Sequence, residues 1–187
     1  VAAFARLAEL GETGSGVLTR ETDAAGAVTL FTEGAAPFFV TGPWNVAAVK
    51  AAGVAYEISP VPAFADGGPA RPLLGVQTFF VSSGASVPEL AERFAADFVS
   101  DPEFSLTLYD ADPRVPALVA ALEEVAEQDP DLEAFQRAGH GGVPMPAIPE
   151  MDAVWGPFGQ ASANIIGGAD PAEELATAEE RIRAEFE

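Results

Sequence analysis

The stretch TEGAAPFFVTGPW, residues 32–44, decides how the fold is read. Gly34 closes an amphipathic segment that occupies residues 23–33, and APFFVT at 36–41 is a compact apolar run of strand length. Gly42-Pro43-Trp44 follows as a helix start. Glycine can cap a helix, and proline suits the first turn because its missing N–H would be unpaired there and its φ is already helical. The stretch is therefore a strand-to-helix junction.

Working outward, residues 54–61 alternate as Val54, Tyr56 and Ile58 and predict another strand, stopped by Pro60 and Pro62. The loop AFADGGPARP leads to LLGVQTFFVS at 73–82, a continuous apolar run expected to be a strand buried on both faces. From Ser86 the period becomes helical: Ser86 and Glu89 read as a capping box, and Leu90, Phe94 and Phe98 recur every four residues. Further helices are expected at 102–110 and 115–127. Gln128-Asp129-Pro130-Asp131 breaks the chain before a helix that ends near Gly139. The proline-punctuated segment HGGVPMPAIPEM, 140–151, precedes a long helix at 152–167. A last helix starts at Pro171, capped by Asp170, with Leu175, Ala178, Ile182 and Phe186 on one side.

On the amino-terminal side, VAAFARLAEL places Val1, Phe4, Leu7 and Ala8 at helical spacing, without the charged start or cleavage site of a signal peptide. It reads as a core helix, and the chain as one that begins in the middle of a fold. Gly11 to Gly16 bounds a glycine-rich loop, and no repeat recurs along the chain. Strands separated by helices give an α/β class with a helix-rich C-terminal half.

Composition narrows the functions. The 187 residues, 49% of them hydrophobic, suffice for one or two domains. Nine basic against 29 acidic residues give a net charge of −20, which repels phosphate backbones and anionic lipid, so no nucleic-acid partner is expected. The absence of cysteine removes disulfides, thiol catalysis and thiolate metal sites. His140 is the sole histidine, and its GHGG setting lacks the Lys-Ser/Thr ending of a phosphate loop. Glu123, Glu124, Glu127, Asp129, Asp131 and Glu133 read as solvated helix faces, because the alternating oxygen ligands and central glycine of a calcium loop are missing. Neither a metal nor a cofactor is expected, and no apolar run is long enough to span a bilayer.

Four features, collinear over nearly the whole chain, resemble the maltose-type solute-binding proteins of ABC sugar importers. They are TEGAAPFFVTGPW at 32–44, RPLLGVQTFFVSS at 71–83, PMPAIPEMDAVWGPFGQA at 144–161, and the order of helices between 86 and 139. The resemblance implies a periplasmic-binding-protein-like (type II) fold, in which two α/β lobes joined by hinge strands close on sugar. It implies that residues 74–78 cross into the N-terminal lobe and 129–131 return. Residues 1–73 and 132–187 would form the C-terminal lobe, and 74–131 a hinge-linked remnant of an incomplete N-terminal lobe. The first half of a family member would be absent.

The resemblance also implies a function: a non-catalytic carbohydrate receptor, extracellular and lipid-anchored at the cell surface or periplasmic, that delivers oligosaccharide to membrane ABC permease subunits. Trp44 is the first candidate ligand-binding residue. A tryptophan on the first helical turn after a strand sits at the carboxyl edge of an α/β sheet, where ligands of such folds bind, and its flat face can cover the C–H side of a pyranose. In the family the Gly-Pro-Trp tryptophan stacks on sugar. Trp155, within VWGP, coincides with the family's second stacking tryptophan, and VWGP is similar to maltodextrin and trehalose receptors of Gram-positive bacteria. Gly156 and Gly159 stand where the best-known maltose receptor has an aromatic residue and an arginine.

Gln77 and Glu150 complete the candidates. A glutamine inside an apolar run needs a hydrogen-bond partner if buried, and sugar hydroxyls or the backbone could each supply one. For Glu150 the competing reading is a solvated loop carboxylate. Two other functions compete with the receptor: a glycoside-acting enzyme, since carboxylate pairs with cleft tryptophans also describe glycosidases, and an interaction module or fragment that binds no sugar. Residues 79–128 would expose Phe80, Phe94, Phe98, Leu118 and Leu122 unless they repack, self-associate or meet a partner chain.

Overall fold

A computed structural model describes residues 1–64 and 67–186. Part of the expected loop at 63–72 thus lies outside the described residues. The chain divides into two compact units, one made of Val1–Thr29 with Pro146–Glu187 and the other of Leu30–Met145.

The first unit is helical. Helix α1 is Ala2–Leu10, and the later helices of this unit, designated α8 and α9 in chain order, are Asp152–Ile166 and Pro171–Ala184. Ala161 and Ala178 are buried and small, which lets α8 and α9 approach closely around the fully buried Ile165. Burying an isoleucine side chain contributes about 1.5 to 3 kcal/mol. Phe4 of α1 meets Phe158 of α8 edge to face, with ring centroids 5.3 Å apart. At the end of α1 the Gly11 backbone lies against Ile166, where a Cβ would fall 2.4 Å from the Ile166 carbonyl oxygen, and the Glu12 N–H donates to that oxygen at 2.8 Å. Asp170 caps α9 as expected, accepting from the backbone N–H groups of Ala172 and Glu173 with Pro171 in the first turn. Glu173 and Glu174 at the start and Arg181 and Arg183 at the end of α9 suit its dipole. Phe186 lies past the helix and is exposed, so the expected apolar side ends at the half-buried Ile182.

Helix α2, Ala24–Thr32, precedes Gly34, whose φ of 75° lets the chain turn out of the helix. In the second unit, Pro43–Asn45 is one 3-10 turn that runs into α3, Val46–Ala51. Then come α4, Pro88–Val99, α5, Pro102–Ala111, α6, Val119–Ala126, and α7, Pro130–Gly139. Ala121, Val125, Leu132 and Ala134 are buried where α6 and α7 pack, and Val49 is the buried residue of α3. Phe79, Phe94, Phe98 and Phe104 form a chain of ring contacts at centroid distances of 5.0 to 6.3 Å. Three of these rings, Phe79, Phe94 and Phe98, are nonetheless exposed, and Phe80 beside them is 89% exposed.

The strands differ most from expectation. Among the described residues the only sheet is a parallel pair of two-residue strands, β1, Leu73–Leu74, and β2, Val143–Pro144. Residues 36–41, 54–61 and 75–82 are not strands, and the run expected to be buried on both faces is exposed from Leu73 to Ser82. The cause is that a strand is defined by its partners: apolar alternation selects a face, but without a neighbouring ladder no strand forms. Val54, Tyr56 and Ile58 keep that alternation, each half-buried between exposed neighbours. Two helix starts also differ. Helix α4 begins at Pro88 with Val87 as its N-cap, so Ser86 stands one residue too early for a capping box. Helix α6 begins at Val119, with 115–118 lying outside the helix.

Candidate functional site

In the Leu30–Met145 unit, Gly42 is the extended N-cap of the 3-10 turn and Pro43 its first residue, as the sequence predicts. The turn folds the Trp44 ring back onto the backbone of Gly42. A Cβ at Gly42 would stand 2.1 Å from Cζ3 and 2.3 Å from Cη2 of the indole, so only glycine admits this placement. Asn45 steadies the turn by donating from Nδ2 to Thr41 Oγ1 at 2.7 Å. The indole itself is 58% exposed, and Phe38 and Val40 just before the turn are exposed too. A large apolar ring fixed on one side and open on the other is a surface that a flat apolar partner can cover.

Gln77 lies in the same unit, exposed within an unpaired segment. Its side chain therefore has no burial penalty to offset, and the argument that it must find a partner lapses.

In the other unit Glu150 is exposed in the short 3-10 turn Pro149–Met151, which leads into α8. Trp155 follows in the first turns of α8 and is 50% exposed. Gly159 stands one turn later on the same face, and neither it nor Gly156 would place a Cβ within 4 Å of another group. The helix surface beside Trp155 is thus open. Pro157 sits inside α8 and removes one backbone donor from this end of it.

One cluster was not anticipated from the sequence. Asp129 and Asp131, read there as solvated helix faces, are half-buried at the start of α7. Asp129 caps the helix by accepting from the N–H of Asp131, and its Oδ2 accepts from the Tyr109 hydroxyl at 2.6 Å. Asp131 Oδ2 accepts from the Tyr56 hydroxyl at 2.5 Å. Lys50 Nζ, at the end of α3, lies 2.8 Å from Asp131 and 3.7 Å from Asp129. Lys50 is the chain's sole lysine and Tyr56 and Tyr109 its two tyrosines, which is the one sequence signal that could have singled them out. The remaining members of the acidic group, Glu123, Glu124, Glu127 and Glu133, are exposed as expected.

The electrostatics follow from this geometry. Burial, then the hydrogen bond to Asp131 and the nearby carboxylate charges, push the Tyr56 hydroxyl far above its ordinary value of 10.0. Burial and the bond to Asp129 do the same for Tyr109. Lys50 is raised above 10.5, chiefly by its hydrogen bond to Asp131, while burial opposes the shift. Burial disfavours the Asp129 carboxylate, but the bond from Tyr109, the backbone N–H groups and the Lys50 charge outweigh it and hold its pKa below 3.8. At neutral pH Tyr56 and Tyr109 are neutral phenols, Lys50 is an ammonium and Asp129 is a carboxylate. Among the described residues no group of three or more His, Asp or Glu side chains could hold a metal ion.

With this geometry established, known proteins provide a comparison. A family model described as bacterial extracellular solute-binding protein matches residues 1–134. The chain is 32% identical over 160 residues to a galactooligosaccharide-binding protein of Bacillus subtilis, covering 84% of this chain and 38% of that protein. It is 32% identical over 132 residues to a maltotriose-binding protein of Pyrococcus abyssi, covering 68% and 29%. Over 160 residues it is 26% identical to a maltooligosaccharide ABC transporter solute-binding lipoprotein of Streptococcus pneumoniae, covering 84% and 38%. The chain thus spans between 29% and 38% of the length of these relatives.

Proposed function

This chain belongs to the bacterial extracellular solute-binding proteins, and on that premise we propose that it is the sugar-binding part of a receptor serving an ABC importer. The ligand is a neutral oligosaccharide, in the finer reading a maltodextrin-like α-glucoside, held by aromatic stacking in a cleft between lobes. The observation that carries this reading is Trp44, an indole fixed against Gly42 on one side and open on the other. Trp155, exposed beside two glycines, is the second platform, and Glu150 and Gln77, both exposed, supply hydrogen bonds to sugar hydroxyls.

Residues 1–73 and 132–187 make up the C-terminal lobe in this reading, and 74–131 the hinge-linked part of the other, with 129–131 as the return crossing. The membrane permease subunits of the importer are the macromolecular partners. The exposed Phe80, Phe94 and Phe98 support a second copy of the chain, or a partner chain, over the incomplete lobe. Sugar is bound and released unchanged, in keeping with relatives that are named as binding proteins.

Calorimetric titration of the chain with maltotriose and with a galactooligosaccharide tests this, run beside Trp44→Ala. Losing a stacking surface should weaken binding by about 1 to 3 kcal/mol. Heats that are equal for the two proteins would remove Trp44 from the site. Shortening of either sugar on prolonged incubation would make the chain a glycosidase instead.

A further inference from the structure

Helix α3 connects the Lys50 cluster to Trp44. The 3-10 turn Pro43–Asn45 and α3, Val46–Ala51, are continuous, so Trp44 stands at one end of a single short rod and Lys50 at the other. Val49 is the only buried residue of α3, and its other apolar positions are alanines or half-exposed. Packing therefore holds this rod firmly at one point, Val49, with Pro43, Asn45 and Val46 only half-buried, and a rod held in this way can pivot. The second point is Lys50, held at 2.8 Å by Asp131 and at 3.7 Å by Asp129.

Those carboxylates are themselves fixed. Asp129 caps α7 and takes the Tyr109 hydroxyl from α5, while Asp131 takes the Tyr56 hydroxyl from the extended segment that follows α3. Pro130 between them restricts the backbone, so the two acceptors cannot rearrange independently. The arrangement ties α3, the segment after it, α5 and the start of α7 together through the two carboxylates.

We propose that Lys50, Tyr56, Tyr109, Asp129 and Asp131 are positioning residues for the Trp44 platform: they anchor the far end of its helix and so set the angle at which the indole meets sugar. The tie joins Tyr109, from the segment 74–128, to Lys50 and Tyr56, from the segment before it. If 129–131 is the return crossing of the hinge, the same tie makes the Trp44 angle depend on hinge setting. The proposal rests on the reading of Trp44 as a sugar platform, and its test separates the two.

The test uses the full chain carrying Trp155→Phe, so that Trp44 is the sole emitter. Lys50→Met, Tyr56→Phe and Asp131→Asn are compared with it for tryptophan emission, anisotropy and maltotriose affinity, with Lys50→Arg as the conservative rescue. Far-UV circular dichroism confirms that each is folded, and Tyr56→Phe, which removes one oxygen atom, serves if a larger change unfolds the chain. Trp44 anisotropy should fall and maltotriose affinity drop roughly three- to tenfold in the disrupting variants, with Lys50→Arg close to the parent. Unchanged Trp44 emission, anisotropy and affinity in folded Lys50→Met and Tyr56→Phe would overturn the tie. Altered Trp44 anisotropy together with no effect of Trp44→Ala on sugar binding would keep the tie and remove the platform.

Discussion

The indole of Trp44 lies against Gly42, so close that the smallest side chain at that glycine would clash with the ring, 2.1 Å from Cζ3. Gly42 thus does more than cap a turn: it is the floor of the candidate platform.

Gly42→Ala should consequently act as a binding mutation. The ring must swing off its seat to admit a methyl group, and we expect oligosaccharide affinity to fall nearly as far as in Trp44→Ala. Titration calorimetry of the two variants side by side measures this. Parent-like affinity in Gly42→Ala would mean that the indole binds sugar from some other position or not at all.

The Tyr56 hydroxyl is an isolated test of the half-buried cluster. Hydrogen bonds to a charged acceptor contribute about 1.5 to 3 kcal/mol, so Tyr56→Phe should lower unfolding free energy by an amount in or just below that range. Urea denaturation reads it directly. A change below a few tenths would show that solvent replaces the phenol at Asp131.

The pH dependence of stability has a defined sign on each side. Asp129 has a depressed pKa, so its contribution is complete above the ordinary value of 3.8 and is lost as pH falls through its lower folded value. Lys50, Tyr56 and Tyr109 have raised values, so their contributions are complete below about 10 and are lost as pH climbs through the folded values above it. Thermal midpoints should form a plateau between these limits, and Asp129→Asn should lower the plateau and flatten its acid edge. Absorbance titration should find both tyrosines resisting ionisation near pH 10 while the chain stays folded. Free titration of either phenol at its ordinary value would contradict the cluster.

Two apolar substitutions should differ sharply. Ile165 is fully buried between α8 and α9, and Ile165→Ala should cost about 2 to 5 kcal/mol. Phe80 is 89% exposed, and Phe80→Ser should change the stability of the isolated chain by no more than about 0.5 kcal/mol. A large loss at Phe80 would show that the ring is covered in solution, by a second copy or another part of the chain.

The helices were legible because their signals are local. Leu90, Phe94 and Phe98 recur at the helical period in α4, and Asp170 with Pro171 marks the start of α9 within two adjacent residues. The strands were not, because pairing is not local: Val54, Tyr56 and Ile58 alternate as a strand should, yet no ladder lies beside them. Gly-Pro-Trp was legible as a turn that presents an indole, since proline fixes φ for a first helical turn and glycine suits the cap before it. The Lys50 cluster was not, because its bonds join residues 75 and 20 positions apart and nothing in the run Asp129-Pro130-Asp131 names its donors. The same acidic density that makes Glu123 and Glu124 ordinary surface groups hid the two carboxylates that are not.

The central claim, that these two tryptophans are sugar platforms, is tested most directly by fluorescence titration of the two single-tryptophan chains, Trp155→Phe and Trp44→Phe, with maltotriose and a galactooligosaccharide. Stacking on a pyranose removes water from the indole face, so the account predicts a saturable blue shift from Trp44 and from Trp155 with the same sugar at the same concentration. Emission from both rings that stays constant with either sugar up to millimolar concentration, in chains shown to be folded, would contradict it.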